Sequence, residues 1–128
     1  MLNLCIENNV ALILITHDLG VVSEITQRLI VMYAGRIVEQ GPTREIIDRP
    51  YHPYTEGLLG ALPQMTQPGQ NLRQIPGSMP TLSNLPSGCS FSPRCSRSFS
   101  RCKEQLPELR IVKDRQIACH LQDNTKGV

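Results

Sequence analysis

Apolar positions in the first half of the chain follow three successive patterns. Met1–Asn8 is apolar at positions 1, 2, 4, 5 and 6, which predicts the closing turns of a helix. Ala11–Ile15 is an unbroken apolar run, the pattern of a parallel strand buried on both faces. It ends at Thr16-His17-Asp18, so one histidine is delivered to the strand end, the edge at which open α/β sheets bind ligands. Asp18 can cap a following helix with Val21, Val22, Ile25 and Leu29 at helical spacing. Leu29–Tyr33 predicts a second strand, Ala34-Gly35 a tight turn, and Arg36–Gln40 a half-exposed returning strand, together a hairpin stopped by Gly41-Pro42. Thr43–Asp48 predicts a short helix that ends before Pro50, because the residue preceding proline disfavours helical torsions. Pro53 suits the first turn of another helix, with Tyr54, Leu58, Leu59 and Leu62 on one face.

From Pro63 the periodicity is lost. Six prolines between positions 63 and 93 predict an extended, loop-like segment. Order returns around the cysteines. Arg115–Leu121 alternates, which predicts a short strand with Ile117, Cys119 and Leu121 on one face and His120 on the other. There is no internal repeat.

Composition sharpens this division. Leu, Ile and Val gather in the first 62 residues, and with no tryptophan and two phenylalanines the remainder is core-poor. Such segments usually need a metal or disulfide staple. A net charge of +2 is too small to argue for nucleic acid or an anionic membrane surface. The charge is uneven, however: residues 89–119 hold 7 basic and 3 acidic side chains, against 5 and 7 in residues 1–88. No run reaches the roughly 18 apolar residues of a membrane span, and no secretory signal follows Met1. The expectation is an intracellular protein, in which cysteines serve as thiols or metal ligands rather than disulfides. Sheet strands without neighbours should also leave an isolated copy marginal or aggregation-prone, which argues for missing upstream sequence or an obligate partner.

At a strand end alone, a histidine such as His17 is more often structural, capped or hydrogen-bonded, than chemical. The surrounding words change that reading. Ile13-Leu-Ile-Thr-His-Asp-Leu-Gly-Val-Val22 and Ile30-Val-Met-Tyr-Ala-Gly-Arg-Ile-Val-Glu-Gln-Gly-Pro42 resemble the end of the nucleotide-binding domain of ABC transporters. The resemblance implies that His17 is the switch-loop histidine, which contacts the γ-phosphate of ATP and helps orient the hydrolytic water. An imidazole N–H donated to a phosphoryl oxygen suits that task. His52-Pro-Tyr-Thr55, Leu58-Leu-Gly-Ala-Leu-Pro63, Ile75-Pro-Gly-Ser-Met-Pro80 and Leu85-Pro-Ser-Gly-Cys-Ser-Phe-Ser-Pro-Arg-Cys95 resemble the ATPase subunits of dipeptide and oligopeptide importers. The likeness runs from about Leu4 to Leu121. The chain departs from the family in having no G-x-x-x-x-G-K-[ST] phosphate loop, signature loop, magnesium-holding acidic strand end or catalytic glutamate. In the family these lie upstream, so the expectation is a chain truncated before the switch loop and, alone, inactive toward ATP and Mg.

Cys89, Cys95, Cys102 and Cys119 are separated by five, six and sixteen residues. Four thiolates so spaced can converge, but neither short gap is the C-x₂₋₄-C pair usual in zinc modules. Looser spacing suits an iron–sulfur cluster. The resemblance implies a [4Fe–4S] cluster in the C-terminal extension, with zinc or unmetallated thiols as the alternatives. Arg94, Arg97, Arg101 and Lys103 offset its charge or simply meet solvent. Cys5 reads as a small core residue, and His52 as a packing residue.

The fold class that follows is α/β: a partial ABC-type nucleotide-binding domain with a loop-rich, cysteine-containing extension. Its segments are the domain remnant (1–62), a proline-rich stretch (63–88), the cysteine module (89–121) and a tail (122–128). The implied partners are a second ABC ATPase subunit and permease subunits. The implied place is the cytoplasmic face of the plasma (inner) membrane, held peripherally, with peptides or nickel complexes as cargo. Two rivals stand: a free-standing metal- or cluster-binding regulatory module that joins an intact ATPase, and a zinc-dependent nucleic-acid binder. The second is weakened by the lack of close cysteine pairs and of an aromatic stacking platform.

Overall fold

The computed structural model describes residues 2–62 and 74–123. Its elements, in chain order, are α1 (Leu2–Glu7), α2 (Leu19–Ile25), β1 (Arg28–Tyr33), β2 (Arg36–Pro42), α3 (Thr43–Asp48), α4 (Pro53–Gly60), α5 (Ser100–Glu104), β3 (Arg110–Val112) and β4 (Arg115–Ile117). Single 3-10 turns at Ser92–Arg94 and His120–Gln122 complete the cysteine region. Among the described residues no helix is long and apolar enough to cross a membrane.

The four strands form one antiparallel sheet in the order β1-β2-β4-β3. The predicted hairpin is present, and its turn is left-handed at Ala34 (φ 47°) and Gly35 (φ 77°), the twist that a two-residue connection between right-twisted strands requires. Strand β1 alternates exposed and buried, so Leu29, Val31 and Tyr33 face the core. Asp18 caps α2 as expected, its Oδ1 accepting the N–H groups of Gly20 and Val21 at 2.9 and 3.2 Å. Helix α3 matches its predicted span, and α4 begins at Pro53.

Three expectations fail. Ala11–Ile15 is not a buried strand: the segment is irregular, with Ile13 88 % and Ile15 94 % exposed. A buried parallel strand draws its backbone partners and its apolar cover from neighbours on both sides, and no described strand pairs with it. Cys5 is only half-buried on α1, beside exposed Leu4 and Ile6. The alternating run after Arg115 is strand only to Ile117, so Cys119 and His120 leave the sheet in a turn. The short strand β3 carries no pattern that would have announced it.

The sheet joins the two halves of the chain. β2, from the apolar half, pairs with β4 from the cysteine-rich half through Glu39↔Ile117 and Gln40↔Gln116. Gly41 permits this approach, because a Cβ there would lie 2.7 Å from Arg115 Cβ. The core is likewise shared. Val22, Leu29, Val31, Tyr33, Ala34, Val38 and Ile46 pack with Phe91, which stands between Cys89 and Cys95. Tyr33 and Tyr54 flank Phe91 at ring-centre distances of 5.2 and 5.4 Å. Burying a phenylalanine side chain contributes roughly 2–3 kcal/mol, so this one residue ties the cysteine loop firmly to the hairpin.

Candidate metal centre

Local turns set each of the four cysteines. Cys89 N donates to Cys102 O at 2.8 Å, which brings loop and α5 together. Gly88 makes that contact feasible, since a Cβ on it would sit 2.4 Å from Cys102 O. Ser92 N returns to Cys89 O, closing the turn into the 3-10 segment that Cys95 terminates. Cys102 is buried on α5, and Cys119 precedes the turn His120–Gln122. The result is a convergence that spacing alone left open. Cys89, Cys95, Cys102 and Cys119 line one small cavity of about 10 Å³, together with Phe91, His52 and His120.

Nearby backbone amides, those of Phe91 and Ser92 for Cys89, Arg97 for Cys95 and Leu121 for Cys119, act to lower the thiol pKa values. Burial nevertheless pushes all three thiols up, and Cys119, with the other thiols as neighbours, reaches about 11. Without a cation these groups stay protonated and inert near neutral pH. A bound metal reverses this by ligating the thiolate form. Four thiols are the donor type that a thiolate-held centre needs, but the geometry of such a centre is not assembled. Among the described residues no group of three or more His, Cys, Asp or Glu side chains is arranged to grip a single metal ion.

Both histidines of the cavity are committed elsewhere. His120, predicted on the far face, turns inward because the strand ends at Ile117. Its Nδ1 meets Asp123 Oδ2 at 3.1 Å and its Nε2 meets Gln105 O at 2.9 Å, so neither nitrogen is free to ligate. His52, expected merely to pack, is 1 % exposed and caps α4, its Nδ1 accepting Tyr54 N–H at 3.1 Å. Burial first, and Arg97 second, lower its pKa to about 4, so the ring is neutral. The available donor set is therefore four sulfurs.

A buried latch holds His52 in place. Glu39, fully buried on β2, accepts the backbone N–H groups of Tyr51 and His52, both at 3.0 Å. Arg115 on β4 donates to Glu39 Oε1 at 3.4 Å and to Arg49 O at 2.6 Å, with its guanidinium 4.2 Å from the Tyr51 ring centre. Neither latch residue was singled out from sequence; the only cue was a charge at a position whose alternation demanded an apolar side chain. Of the arginines among the cysteines, Arg97 lines the cavity and pairs with Glu56. Arg94 instead ties down the proline-rich segment through Pro76 O and Ile75 O, and Arg101 pairs with Asp123.

His17 is exposed, one residue before the α2 cap, and stands apart from the cysteine cavity.

Comparison with known proteins agrees with the motifs. Residues 38–102, about half of the chain, match the family described as the oligopeptide/dipeptide transporter C-terminal region. The chain is 44 % identical over 124 residues to the oligopeptide transport ATP-binding protein AppD of Bacillus subtilis, covering 96 % of this chain and 38 % of that one. It is 44 % identical over 121 residues to the dipeptide transport ATP-binding protein DppD of Escherichia coli, covering 94 % and 37 %. A Brucella ovis protein provisionally named for peptide import and ATP binding is 48 % identical over 114 residues, covering 84 % and 34 %. The chain thus spans about a third of the length of these relatives. With the matched region running from β2 through Cys102, the chain belongs to the oligopeptide/dipeptide transporter C-terminal region family.

Proposed function

We propose that this chain is the C-terminal part of the ATP-binding subunit of an ABC-type peptide importer. The observation that carries the reading is 44 % identity over 94–96 % of the chain to proteins named for dipeptide and oligopeptide transport and ATP binding. In this reading residues 1–62 complete a nucleotide-binding domain and 89–121 are the cysteine module; the proline-rich stretch 63–88 and the tail 122–128 lie in part outside the described residues. His17 donates an N–H to the γ-phosphate of ATP held with Mg by motifs that this chain does not contain. Ala11–Ile15 becomes a strand only beside the rest of that sheet. The whole subunit works against a second ATPase and the permease at the cytoplasmic membrane face, importing peptides.

Cys89, Cys95, Cys102 and Cys119 would hold a [4Fe–4S] cluster, which suits their all-sulfur donor set and their place around one cavity. When bound, the cluster supplies cross-links in a segment poor in apolar core. The protein's own part is to present four thiolates, exclude water with Phe91 and Leu121, and exclude the two histidines as ligands.

Replacing the corresponding third of Escherichia coli DppD with this chain tests the reading. The chimera is expected to support ATP-driven dipeptide uptake, and His17→Ala in it to lower turnover by about 100-fold or more. A chimera that assembles and binds ATP but does not transport, or tolerates His17→Ala, overturns it. Anaerobic reconstitution should give iron and sulfide in equal amounts; stoichiometric zinc without iron would end the cluster assignment.

A further inference from the structure

Beyond the end of β4 the sheet splits. The N–H of Ala118 donates to Val38 O at 2.9 Å, and the chain then leaves the sheet for the turn His120–Gln122. Strand β2 starts before that point: Arg36 and Ile37 pair with Tyr33 and Met32 of β1, and no described segment pairs with their other edge. A bulge marks the change, since Val31 stands opposite Glu39 and Met32 opposite Ile37, which leaves Val38 as the extra residue. Across the lane of β4, residues 106–109 lead into β3 and make no backbone hydrogen bond to another described segment. Between these two edges lies a cavity of about 450 Å³, a size common for ligand sites.

Its walls are backbone edges. Arg36, Ile37 and Val38 all line it, and so do residues 106–109 and Ala118. Successive strand side chains point to opposite faces, so a wall of successive residues is the edge of a strand and not its face. Such an edge recognises an extended chain through N–H and C=O groups, whatever side chains that chain carries. Phe91, Leu106 and Leu109 add apolar contact suited to small apolar side chains. The polar groups come in both signs. Arg36 is exposed and has no ion-pair partner among the described residues. Glu108, on the opposite wall, pairs with Arg110 at 3.2 Å but keeps its side chain 78 % exposed. Ser90 also lines the cavity, 7 % exposed, and its hydroxyl has no partner among the described residues. A free peptide carries one carboxylate and one ammonium at its ends, whereas an internal segment of a protein carries neither.

We propose that this cavity binds a short free peptide in extended form, lying in the lane of β4 with Arg36 on its α-carboxylate and Glu108 on its α-ammonium. The site needs neither His17 nor a metal at the cysteines, so it stands apart from the ATP and cluster readings.

The test titrates the tripeptide Ala-Val-Ala into the isotope-labelled 128-residue chain, followed by NMR, and into the DppD chimera, followed by calorimetry. Saturable binding is expected, with the amide signals of Ile37, Val38, Leu106, Glu108 and Leu109 moving most. Arg36→Gln, or amidation of the peptide's carboxylate, should each weaken binding about tenfold, and the two together no more than either alone. Glu108→Gln and acetylation of the peptide's amine should behave as the same kind of pair. Both substitutions fall on exposed side chains, so the fold is kept. A peptide blocked at both ends that binds as tightly as the free one makes a protein segment the occupant and overturns the inference. Unchanged affinity in both variants, or signals moving only elsewhere, overturns it as well. A chimera that supports uptake but binds no tripeptide at this site overturns it while leaving the transporter reading intact.

Discussion

His52 shows how far burial can carry a single side chain from its solution behaviour. Its pKa falls from 6.5 to about 4 because the ring is desolvated and Arg97 is close. The unfolded chain takes up a proton below pH 6.5 that the folded chain refuses. The stability His52 contributes is therefore complete above about pH 6.5 and is lost as pH falls toward about 4, on the order of 3 kcal/mol in all. Urea midpoints of the metal-free chain across that window should fall more steeply for wild type than for His52→Asn; parallel slopes would contradict this. Gly88 is the second informative residue. Its missing side chain lets Cys89 reach Cys102, and Gly88→Ala would force a methyl to 2.4 Å from a backbone oxygen. Thermal denaturation should show a loss of about 1–3 kcal/mol, with reduced metal retention; an unchanged melting temperature and metal content would be inconsistent with that packing.

Between elements, the decisive contact is the pairing of β2 with β4 and the buried ions beside it. Arg115 and Glu39 each have almost no exposed surface, so their attraction is set against a large desolvation cost. Breaking one partner should hurt more than removing both. Arg115→Met is expected to cost about 3–5 kcal/mol, leaving the Glu39 carboxylate buried with only its two backbone donors. Adding Glu39→Gln should restore part of that loss. A double-mutant cycle measures the coupling, and additive effects would show that the latch carries none.

Taken whole, the molecule is well packed at one end and bare at the other. The hairpin, α3, α4 and the cysteine loop share a core, whereas Ile6, Ile13 and Ile15 are 74 %, 88 % and 94 % exposed. Exposed apolar surface of this kind marks either an interaction site or an aggregation liability. Ile13→Asn with Ile15→Asn should lower hydrophobic-dye binding and self-association on size-exclusion chromatography, with the melting temperature unchanged. Equal dye binding would mean that these side chains find cover elsewhere.

The local elements were legible in the residues themselves. Asp18 as a cap, Ala34-Gly35 as a turn, the alternation of β1, and Pro50 and Pro53 bounding α3 and α4 all act within a few bonds, where torsional preference and near neighbours decide. The four sulfurs could be nominated from their spacing, and the family from its words. Tertiary structure alone decided the rest. Whether Ala11–Ile15 is a strand depends on partners far away in sequence, because a strand's hydrogen bonds are made to other segments. The convergence of the cysteines, the inward turn of His120, and the Glu39–Arg115 latch all hang on β4 lying beside β2, a contact across more than 70 residues. No local pattern encodes such a contact, since its free energy comes from apolar surface and charge brought together only when the chain has folded.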